Sequence, residues 1–275
     1  MVKFFVIGAG KMGGAVSGGL VAKKVFAANE VAAFDVNPKA AEDFSRRTGC
    51  AAFGKLEDAA AALNEAQTVL LAVKPQVLES ALRSINSADG ILPLSRKLVV
   101  SIVAGVPIVR LSALISSDRI VRVMPNTPAL IGAGAAAFAP GAGATAEDIA
   151  LVGQILSAVG MARQMKESDL DAVTALSGSG PAYVFAFIQA LADGGVAEGL
   201  SREAALALAV QTVLGAAEMV ARSGEHPAVL KDAVTSPGGT TVRALEVLED
   251  RGFAGAVIQA VRAAAKRSRE LGGGK

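Results

Sequence analysis

Short apolar runs alternate with alanine-rich segments through the first part of the chain. Because helices cover both faces of a parallel sheet, its buried strands are continuous apolar runs. The strand-like runs are Val2–Ile7, Val31–Phe34, Thr68–Val73, Leu98–Val103 and Ile120–Val123. Segments of helical composition lie between them, at Lys11–Lys24, Pro38–Arg47, Leu56–Ala66 and Gln76–Ile85. This alternation predicts βαβ units in a doubly wound α/β sheet of the Rossmann type.

The pattern changes after about Lys166, where strand-like runs give way to long helical segments rich in Ala, Leu and Val. Ser168 and Asp171 have capping-box spacing, which predicts that a helix begins at the boundary. The predicted helices are Pro181–Ala192, Ser201–Arg222, Thr241–Glu249 and Phe253–Glu270. Their wide apolar faces favour burial against other helices, including those of another subunit. We therefore predict a dinucleotide-binding domain over residues 1–166 and an all-helical domain over residues 167–275.

Composition favours a subunit interface over a membrane segment as the reason for the apolar sequence. The 275 residues include 27 basic and 25 acidic side chains spread along the chain, so nucleic acid is not an expected partner. The mean hydropathy is +0.47. The uncharged run of membrane-spanning length, residues 123–146, contains three prolines and four glycines and would make a poor lipid-exposed helix. We expect a homo-oligomer and no membrane partner.

Few residues suggest chemistry outside the glycine-rich segments. The single Cys50 fits a reducing compartment, and the N-terminal apolar run lacks signal-peptide features, so a cytoplasmic protein is expected. No Cys, His and Asp cluster has metal-ligand spacing, and no metal is predicted. His226, the one histidine, is read as a turn residue, with proton donation as the alternative.

The first glycine-rich segment is Gly8-Ala9-Gly10-Lys11-Met12-Gly13, which follows a predicted strand and opens a predicted helix. In such a GxGxxG turn, the first glycine permits the tight turn and the second admits the pyrophosphate. The third allows close packing of helix on strand, while the helix N-terminus supplies N–H groups to the phosphates. The context predicts a dinucleotide site that includes Gly8, Gly10, Lys11, Met12 and Gly13.

Asp35 stands at the end of the second predicted strand, 22 residues after Gly13. This spacing is typical of the acidic residue that binds the adenosine ribose, and a carboxylate there would repel a 2′-phosphate. The prediction is NADH or NADPH, with Asp35 slightly favouring NADH. Asn37 is a candidate neutral donor to the same ribose. The alternative is that Asp35 and Asn37 only form the turn before Pro38.

Other strand ends should line the crevice where the nicotinamide lies, because ligands in such sheets bind at the carboxyl ends of strands. The candidates from these positions are Val73, Lys74, Pro75, Ala104, Gly105 and Asn126. Lys74 is equally well explained as an ordinary surface lysine.

The second glycine-rich turn, Ser236-Pro237-Gly238-Gly239-Thr240-Thr241, precedes a predicted helix. Backbone N–H groups there could bind a carboxylate or phosphate. A plain helix connector with Thr as N-cap is the alternative. The loop that contains Ser179 is a similar case, with Pro181 suited to the first helical position.

Taken together, these segments resemble the pyrroline-5-carboxylate reductase family. The resemblance covers essentially the whole chain, and the Ser-Pro-Gly-Gly-Thr-Thr segment is its most diagnostic part. The resembling stretches are Gly8–Gly13, Ala72–Gln76, Val100–Val106, Arg122–Leu130, Leu176–Tyr183, Gly224–Pro227, Leu230–Asp232 and Ser236–Thr241.

The resemblance implies a Rossmann domain followed by an all-helical dimerisation domain, with sites shared between subunits of a dimer or a ring of dimers. It implies that the substrate carboxylate is held by backbone amides of the Ser236, Gly238, Gly239 and Thr240 loop. Thr241 would contact the ring nitrogen of the substrate and is the candidate catalytic residue. Ser179 and Asn126 are further substrate-binding candidates. The family favours NADPH, with which Asp35 is at odds.

The expected reaction is hydride transfer from NAD(P)H to the imine carbon of 1-pyrroline-5-carboxylate, giving L-proline. A protonated imine is already electrophilic, so the protein chiefly positions the reactants. A β-hydroxyacid dehydrogenase is a weaker alternative, because it needs a helical lysine and none occurs between Lys166 and Lys231. A non-catalytic dinucleotide sensor is the other alternative, and the retained Ser236–Thr241 loop argues against it.

Overall fold

A computed structural model describes residues 1–273 as two compact units. The first comprises Met1–Gly178 together with the chain from Ala264 onward, and the second comprises Ser179–Ala263. Gly274 and Lys275, the end of the predicted 167–275 domain, lie outside the described residues.

The first unit is built on an eight-stranded sheet of order β3-β2-β1-β4-β5-β6-β7-β8. Neighbouring strands are parallel except for β6 and β7, which pair antiparallel. The first six positions reproduce the doubly wound order, whose direction of winding reverses between β1 and β4. The predicted Rossmann fold is thus confirmed. The strands are β1 Phe4–Ile7, β2 Val31–Phe34, β3 Ala51–Phe53, β4 Thr68–Leu71, β5 Leu98–Ser101, β6 Ile120–Met124, β7 Gly134–Pro140 and β8 Gly160–Gln164.

Helices cover the sheet in the first unit and form nearly all of the second. The helices of the first part are α1 Lys11–Ala22, α2 Pro38–Thr48, α3 Leu56–Glu65, α4 Leu78–Ser87, α5 Ile108–Ile115, α6 Ala146–Ser157 and α7 Leu170–Val173. A π-helical turn over Thr174–Gly178 follows α7. The remaining helices are α8 Gly180–Ala197, α9 Arg202–Ser223, α10 Pro227–Ala233, α11 Thr240–Asp250 and α12 Phe253–Leu271.

Alternate residues of the central strands build separate cores on the two faces of the sheet. Phe4 and Val6 of β1 belong to the same cluster as Leu20 of α1. Phe5 and Ile7 belong to the opposite cluster, which contains side chains of α3, α4 and α5. All four residues of β1 are at most 2% exposed. Burial on both faces explains why these strands are continuous apolar runs.

The five predicted strands and four predicted helices of the first part are present, with ends that differ by a few residues. Strands β3, β7 and β8 were not predicted, because they are alanine-rich, interrupted by glycine or proline, or half-exposed. Helices α5, α6 and α10 were also missed. The capping box of Thr145 with Asp148 was an available signal for α6.

The structure bears on two local expectations, the capping box at Ser168 and the apolar run 123–146. A helix does begin at the predicted boundary, at Leu170, but Ser168 does not cap it, because a short 3-10 turn over Glu167–Asp169 comes first. The Asp171 carboxylate instead accepts a hydrogen bond from the Ser268 hydroxyl. The apolar run 123–146 is non-helical over most of its length and contains the end of β6, a 3-10 turn and β7.

The second unit leaves much of its apolar surface uncovered. Helices α8 and α9 pack through Ala192, Ala205 and Ala209. Large apolar side chains on the same helices are exposed, including Phe185 at 62% and Leu208 at 58%. Two helical stretches, Glu167–Ala197 and Arg202–Ser223, are long and apolar enough to cross a membrane by length and composition alone. Both contain charged residues, which is why neither is among the uncharged runs of the sequence.

An ion pair joins the residue before β6 to α6 beside the sheet. Two guanidinium nitrogens of Arg119 donate to the Asp148 carboxylate at 2.8 Å, and the Asp148 side chain is 5% exposed. The Thr145 N–H also donates to this carboxylate, which closes the capping box of α6. The hydrogen bonds from Arg119 hold the pKa of Asp148 below its ordinary value.

We expect Asp148→Asn to lower the free energy of unfolding by about 1–3 kcal/mol at pH 7, because Arg119 loses a buried charged acceptor. Since the folded-state pKa of Asp148 is lowered, its contribution is complete above the ordinary aspartate pKa. The contribution disappears as the pH falls through the folded-state value. Urea denaturation should therefore show the wild-type advantage shrinking below about pH 4. The exposed Glu42→Gln is the control, and an equal effect from both variants would contradict the assignment.

Candidate functional site

The glycine-rich turn after β1 passes very close to the chain that leaves β4. Gly8 has φ +106°, and a Cβ placed on it would lie 2.7 Å from the Ala72 carbonyl oxygen. A Cβ on Gly13 would collide with the Gly8 carbonyl oxygen. A Cβ on Gly10, by contrast, would meet no atom within 4 Å. The outer glycines are thus required by packing, while Gly10 leaves open space where a ligand can approach the backbone.

Helix α1 begins directly in this turn, with Gly10 as its N-cap. No side chain caps the helix, and its first turn, which contains Lys11 and Met12, has no acidic residue. The first N–H groups of a helix have no intrahelical partner and carry partial positive charge. This arrangement, together with the space at Gly10, fits the pyrophosphate of a dinucleotide.

Asp35 follows β2 and bonds to the glycine-rich turn. One carboxylate oxygen accepts from the Ala9 N–H at 2.9 Å, and the other accepts from the Asn37 N–H at 2.9 Å. The Asn37 side chain caps α2 by accepting from the Lys39 N–H. Both residues therefore shape this turn, and Asp35 also fixes the glycine-rich turn from the side of β2.

The other cofactor candidates lie after β4 and β5. The backbone of Ala72 and Val73 lies against Gly8. Lys74 is exposed and precedes a 3-10 turn that starts at Pro75. Ala104 and Gly105 follow β5, and Gly105 has φ +71°. Because β1, β4 and β5 are adjacent and parallel, these turns share one edge of the sheet.

Asn126, in the turn after β6, is buried. It is 8% exposed, and its side-chain oxygen accepts from the Ala135 N–H at 2.8 Å. The bond ties the turn after β6 to β7. The amide nitrogen and the second lone pair of the oxygen are left for the substrate contact that the sequence predicts.

The second glycine-rich turn is exposed and ends at α11, within the second unit. The Gly239 N–H donates to the Ser236 carbonyl at 3.1 Å, and Gly238 has φ +67°. Gly239 is the N-cap of α11, so Thr240 and Thr241 occupy its first turn and neither caps it. The alternative of a threonine N-cap is wrong, and the helix start carries no side-chain cap.

Ser179 and His226 both precede helices of the second unit. Ser179 is the N-cap of α8 without a side-chain bond, directly after the π-helical turn. The His226 imidazole accepts from the Ala228 N–H at 3.2 Å and caps α10, which explains it as a turn residue. Within residues 1–273, no group of three or more His, Cys, Asp or Glu side chains could hold a metal ion.

The structure thus gathers the predicted cofactor residues in the first unit and assigns Ser179 and the Ser236–Thr241 turn to the second. Sequence reasoning missed Glu167, whose carboxylate oxygen accepts from the Ile108 N–H at 2.7 Å and from Arg122 at 3.1 Å. No local sequence pattern predicts these contacts, because Glu167 is distant in sequence from both Ile108 and Arg122.

Family profiles match both parts of the chain. Residues 167–271 match the profile described as pyrroline-5-carboxylate reductase dimerisation. Residues 3–105 match the profile described as NADP oxidoreductase, coenzyme F420-dependent. The first match covers the helices that expose apolar side chains, and the second covers the glycine-rich turn.

Relatives that match nearly the whole chain are pyrroline-5-carboxylate reductases. A pyrroline-5-carboxylate reductase of Arabidopsis thaliana is 47% identical over 265 residues, 96% of this chain and 94% of the relative. A solved structure of the Plasmodium falciparum pyrroline carboxylate reductase with NADP bound is 34% identical with a TM-score of 0.84, covering 98% of both chains. A structure of a pyrroline-5-carboxylate reductase from Coxiella burnetii is 31% identical with a TM-score of 0.87, covering 100% of this chain and 99% of that one. The chain belongs to the pyrroline-5-carboxylate reductase family.

Proposed function

We propose that this protein reduces 1-pyrroline-5-carboxylate to L-proline with NAD(P)H, the last step of proline biosynthesis. The observation that carries the proposal is the presence in one chain of two uncapped helix starts after glycine-rich turns. One, at α1, suits the dinucleotide, and the other, at α11, suits a small carboxylate. The relatives from Arabidopsis thaliana and Plasmodium falciparum support the same activity.

In this proposal the protein acts by holding the reactants in place. When bound, the reduced nicotinamide supplies a hydride for the imine carbon. The α1 N-terminus and the turns after β4 and β5 hold the cofactor. Backbone N–H groups of Ser236, Gly238 and Thr240 fix the substrate carboxylate, and the Thr241 hydroxyl orients the ring nitrogen. Holding reacting atoms about 3–3.5 Å apart supplies several kcal/mol of the barrier.

The test is to follow loss of NADPH or NADH absorbance with 1-pyrroline-5-carboxylate, for the wild type and Thr241→Ala. We expect wild-type turnover and a loss of up to about tenfold in kcat/KM for the variant, because one neutral hydrogen bond is removed. Cofactor affinity should be unchanged, and Thr241→Ser should restore activity. Ser87→Ala, an exposed hydroxyl on α4, is the control.

Two outcomes would contradict these assignments. Equal loss of cofactor affinity and turnover in Thr241→Ala would remove Thr241 from the substrate site. Cofactor binding by the wild type without any turnover would favour a dinucleotide sensor, and turnover only with β-hydroxyacids would favour the dehydrogenase alternative.

Cofactor choice in this proposal depends on Asp35. Its carboxylate oxygens accept two backbone N–H bonds, which leaves further lone pairs for a ribose hydroxyl. The negative charge still opposes a 2′-phosphate, by about 1 kcal/mol at 4 Å in water and about 4 kcal/mol at an effective dielectric near 20. We propose that NADH is used well and that NADPH is also accepted, as the NADP-bound relative suggests.

Asp35→Ser should raise the ratio of kcat/KM for NADPH to that for NADH by about tenfold or more, because the like-charge repulsion disappears. Both values should also fall somewhat, since the glycine-rich turn loses the bond from Ala9 and the turn after β2 loses the bond from Asn37. Glu42→Ser, an exposed acid on α2, is the matched control. A ratio that stays unchanged while both values fall together would show that Asp35 acts only on the turn.

We further propose that residues 167–275 form the dimerisation and substrate-binding domain and residues 1–166 the dinucleotide-binding domain. The extents of the two profile matches support this division. The exposed apolar faces of α8 and α9 would be buried in a homodimer, which can assemble into a ring of dimers. We propose a cytoplasmic enzyme with no membrane partner, because a subunit interface accounts for these apolar helices.

Leu208→Glu should dissociate the dimer and abolish most activity, because a charge on an apolar interface is not compensated there. Leu208 is 58% exposed in the single chain. Leu92→Glu, at a 43% exposed site in the first unit, should leave the assembly intact. Light scattering measures the mass, and circular dichroism verifies folding. If Leu208→Glu remains a dimer with full activity, the apolar face of α8 and α9 is not the dimer interface.

A further inference from the structure

The turn between β5 and α5 carries Ala104 and Gly105, two of the predicted nicotinamide contacts. It leaves the sheet at the same edge as the glycine-rich turn. Two distant parts of the chain, both within the first compact unit, contact this turn or the start of α5. One is Glu167, and the other is the end of α12.

Glu167 supplies a cap that α5 lacks locally. The helix begins at Ile108, and its N-cap residue is Pro107, which has no side-chain acceptor. The Glu167 carboxylate acts as the missing cap, because it accepts a hydrogen bond from the Ile108 N–H at 2.7 Å. Arg122 of β6, whose side chain is only 12% exposed, donates to the same oxygen at 3.1 Å and so orients it. A carboxylate at a helix N-terminus is stabilised by the helix dipole.

The end of α12 lies close to Gly105 of the turn. Ala265 and Ser268 are each 8% exposed, and the Ser268 hydroxyl donates to the Asp171 carboxylate at 2.5 Å. This bond joins residues 97 positions apart and anchors the helix end. A Cβ placed on Gly105 would lie 3.7 Å from the Leu271 carbonyl, so the helix end is in contact range of the turn backbone.

We propose that Glu167 and the segment Ser268–Gly272, which contains the end of α12, together hold the β5–α5 turn in the position that hydride transfer requires. These residues lie at the start and near the end of the stretch that matches the dimerisation profile. They are positioning residues, because they act through the turn. The inference rests on the proposed function, in which the turn borders the nicotinamide.

A loosened turn should affect turnover more than cofactor affinity. In the proposed function the cofactor is held chiefly at the α1 N-terminus, whereas Glu167 and the end of α12 act on the β5–α5 turn. Hydride transfer, however, depends steeply on the placement of the reacting atoms. We expect kcat to fall by about three- to tenfold, with the dissociation constant of NADPH within about twofold of the wild type.

The main variant is a chain that ends at Glu270, which removes the segment against Gly105. Its matched control ends at Gly272 and keeps that segment. Glu167→Ala removes the cap of α5. Glu167→Gln should largely keep the wild-type kcat, because an amide oxygen still accepts from the Ile108 N–H. Melting temperature and mass verify that each variant folds and assembles.

A double variant distinguishes one shared turn from two unrelated defects. The double variant carries Glu167→Ala in a chain that ends at Glu270. If both contacts hold the same turn, its fold-loss of kcat should be well below the product of the fold-losses of the two single variants. Losses that multiply as independent effects would overturn the proposal. So would a chain ending at Glu270 that matches its control in kcat.

Hydrogen exchange gives a readout that does not need the proposed reaction. The amides of residues 103–110 should exchange faster in the chain ending at Glu270 than in its control. Equal exchange would show that the end of α12 does not hold the turn, even if the enzyme is active. Faster exchange, together with a wild type that does not reduce 1-pyrroline-5-carboxylate, would instead reject the proposed function and retain the role of these contacts in holding the turn.

Discussion

The backbone of Gly8 passes so close to the Ala72 carbonyl that only a residue without a side chain fits there. This approach occurs between β1 and β4, where the winding of the sheet reverses. It sets the position of the glycine-rich turn. The start of α1 therefore lies at the edge of the sheet where the parallel strands end. The turns after β4 and β5 then share an edge with that helix start. The cofactor site proposed for this edge of the sheet depends on this contact.

Several carboxylates of the first unit fix backbone turns. Asp35 accepts from the N–H groups of Ala9 and Asn37, Asp148 from Thr145, and Glu167 from Ile108. Each bond satisfies a donor at a turn or near a helix start, where intrahelical partners are missing. Charged residues make up only 19% of the chain. These three therefore stabilise the turns of the sheet domain, and two of them are paired with arginine.

The helical unit, by contrast, leaves its apolar side chains largely uncovered. Its two long helices α8 and α9 contact each other through small alanines, while Phe185 and Leu208 remain exposed. A single copy therefore buries little of the apolar surface that its sequence provides, and association with a second copy would recover the missing burial. The high mean hydropathy of the chain, +0.47, is in keeping with this uncovered apolar surface. This surface also links assembly to activity in the proposed enzyme, since the carboxylate-binding turn belongs to this unit.

The sequence by itself determined the doubly wound α/β character of the first part, the glycine-rich turn and the helical second part, because these depend on local periodicity and on glycine stereochemistry. It also identified the family, through motifs spread over the whole chain. It did not determine β3, β7 and β8, whose alanine-rich or half-exposed segments form strands only by pairing with neighbours. The bonds of Asp35 to Ala9, of Glu167 to Ile108 and of Ser268 to Asp171 were also decided by the tertiary structure alone. Each joins residues far apart in sequence, and nothing in the local pattern of either partner specifies the other.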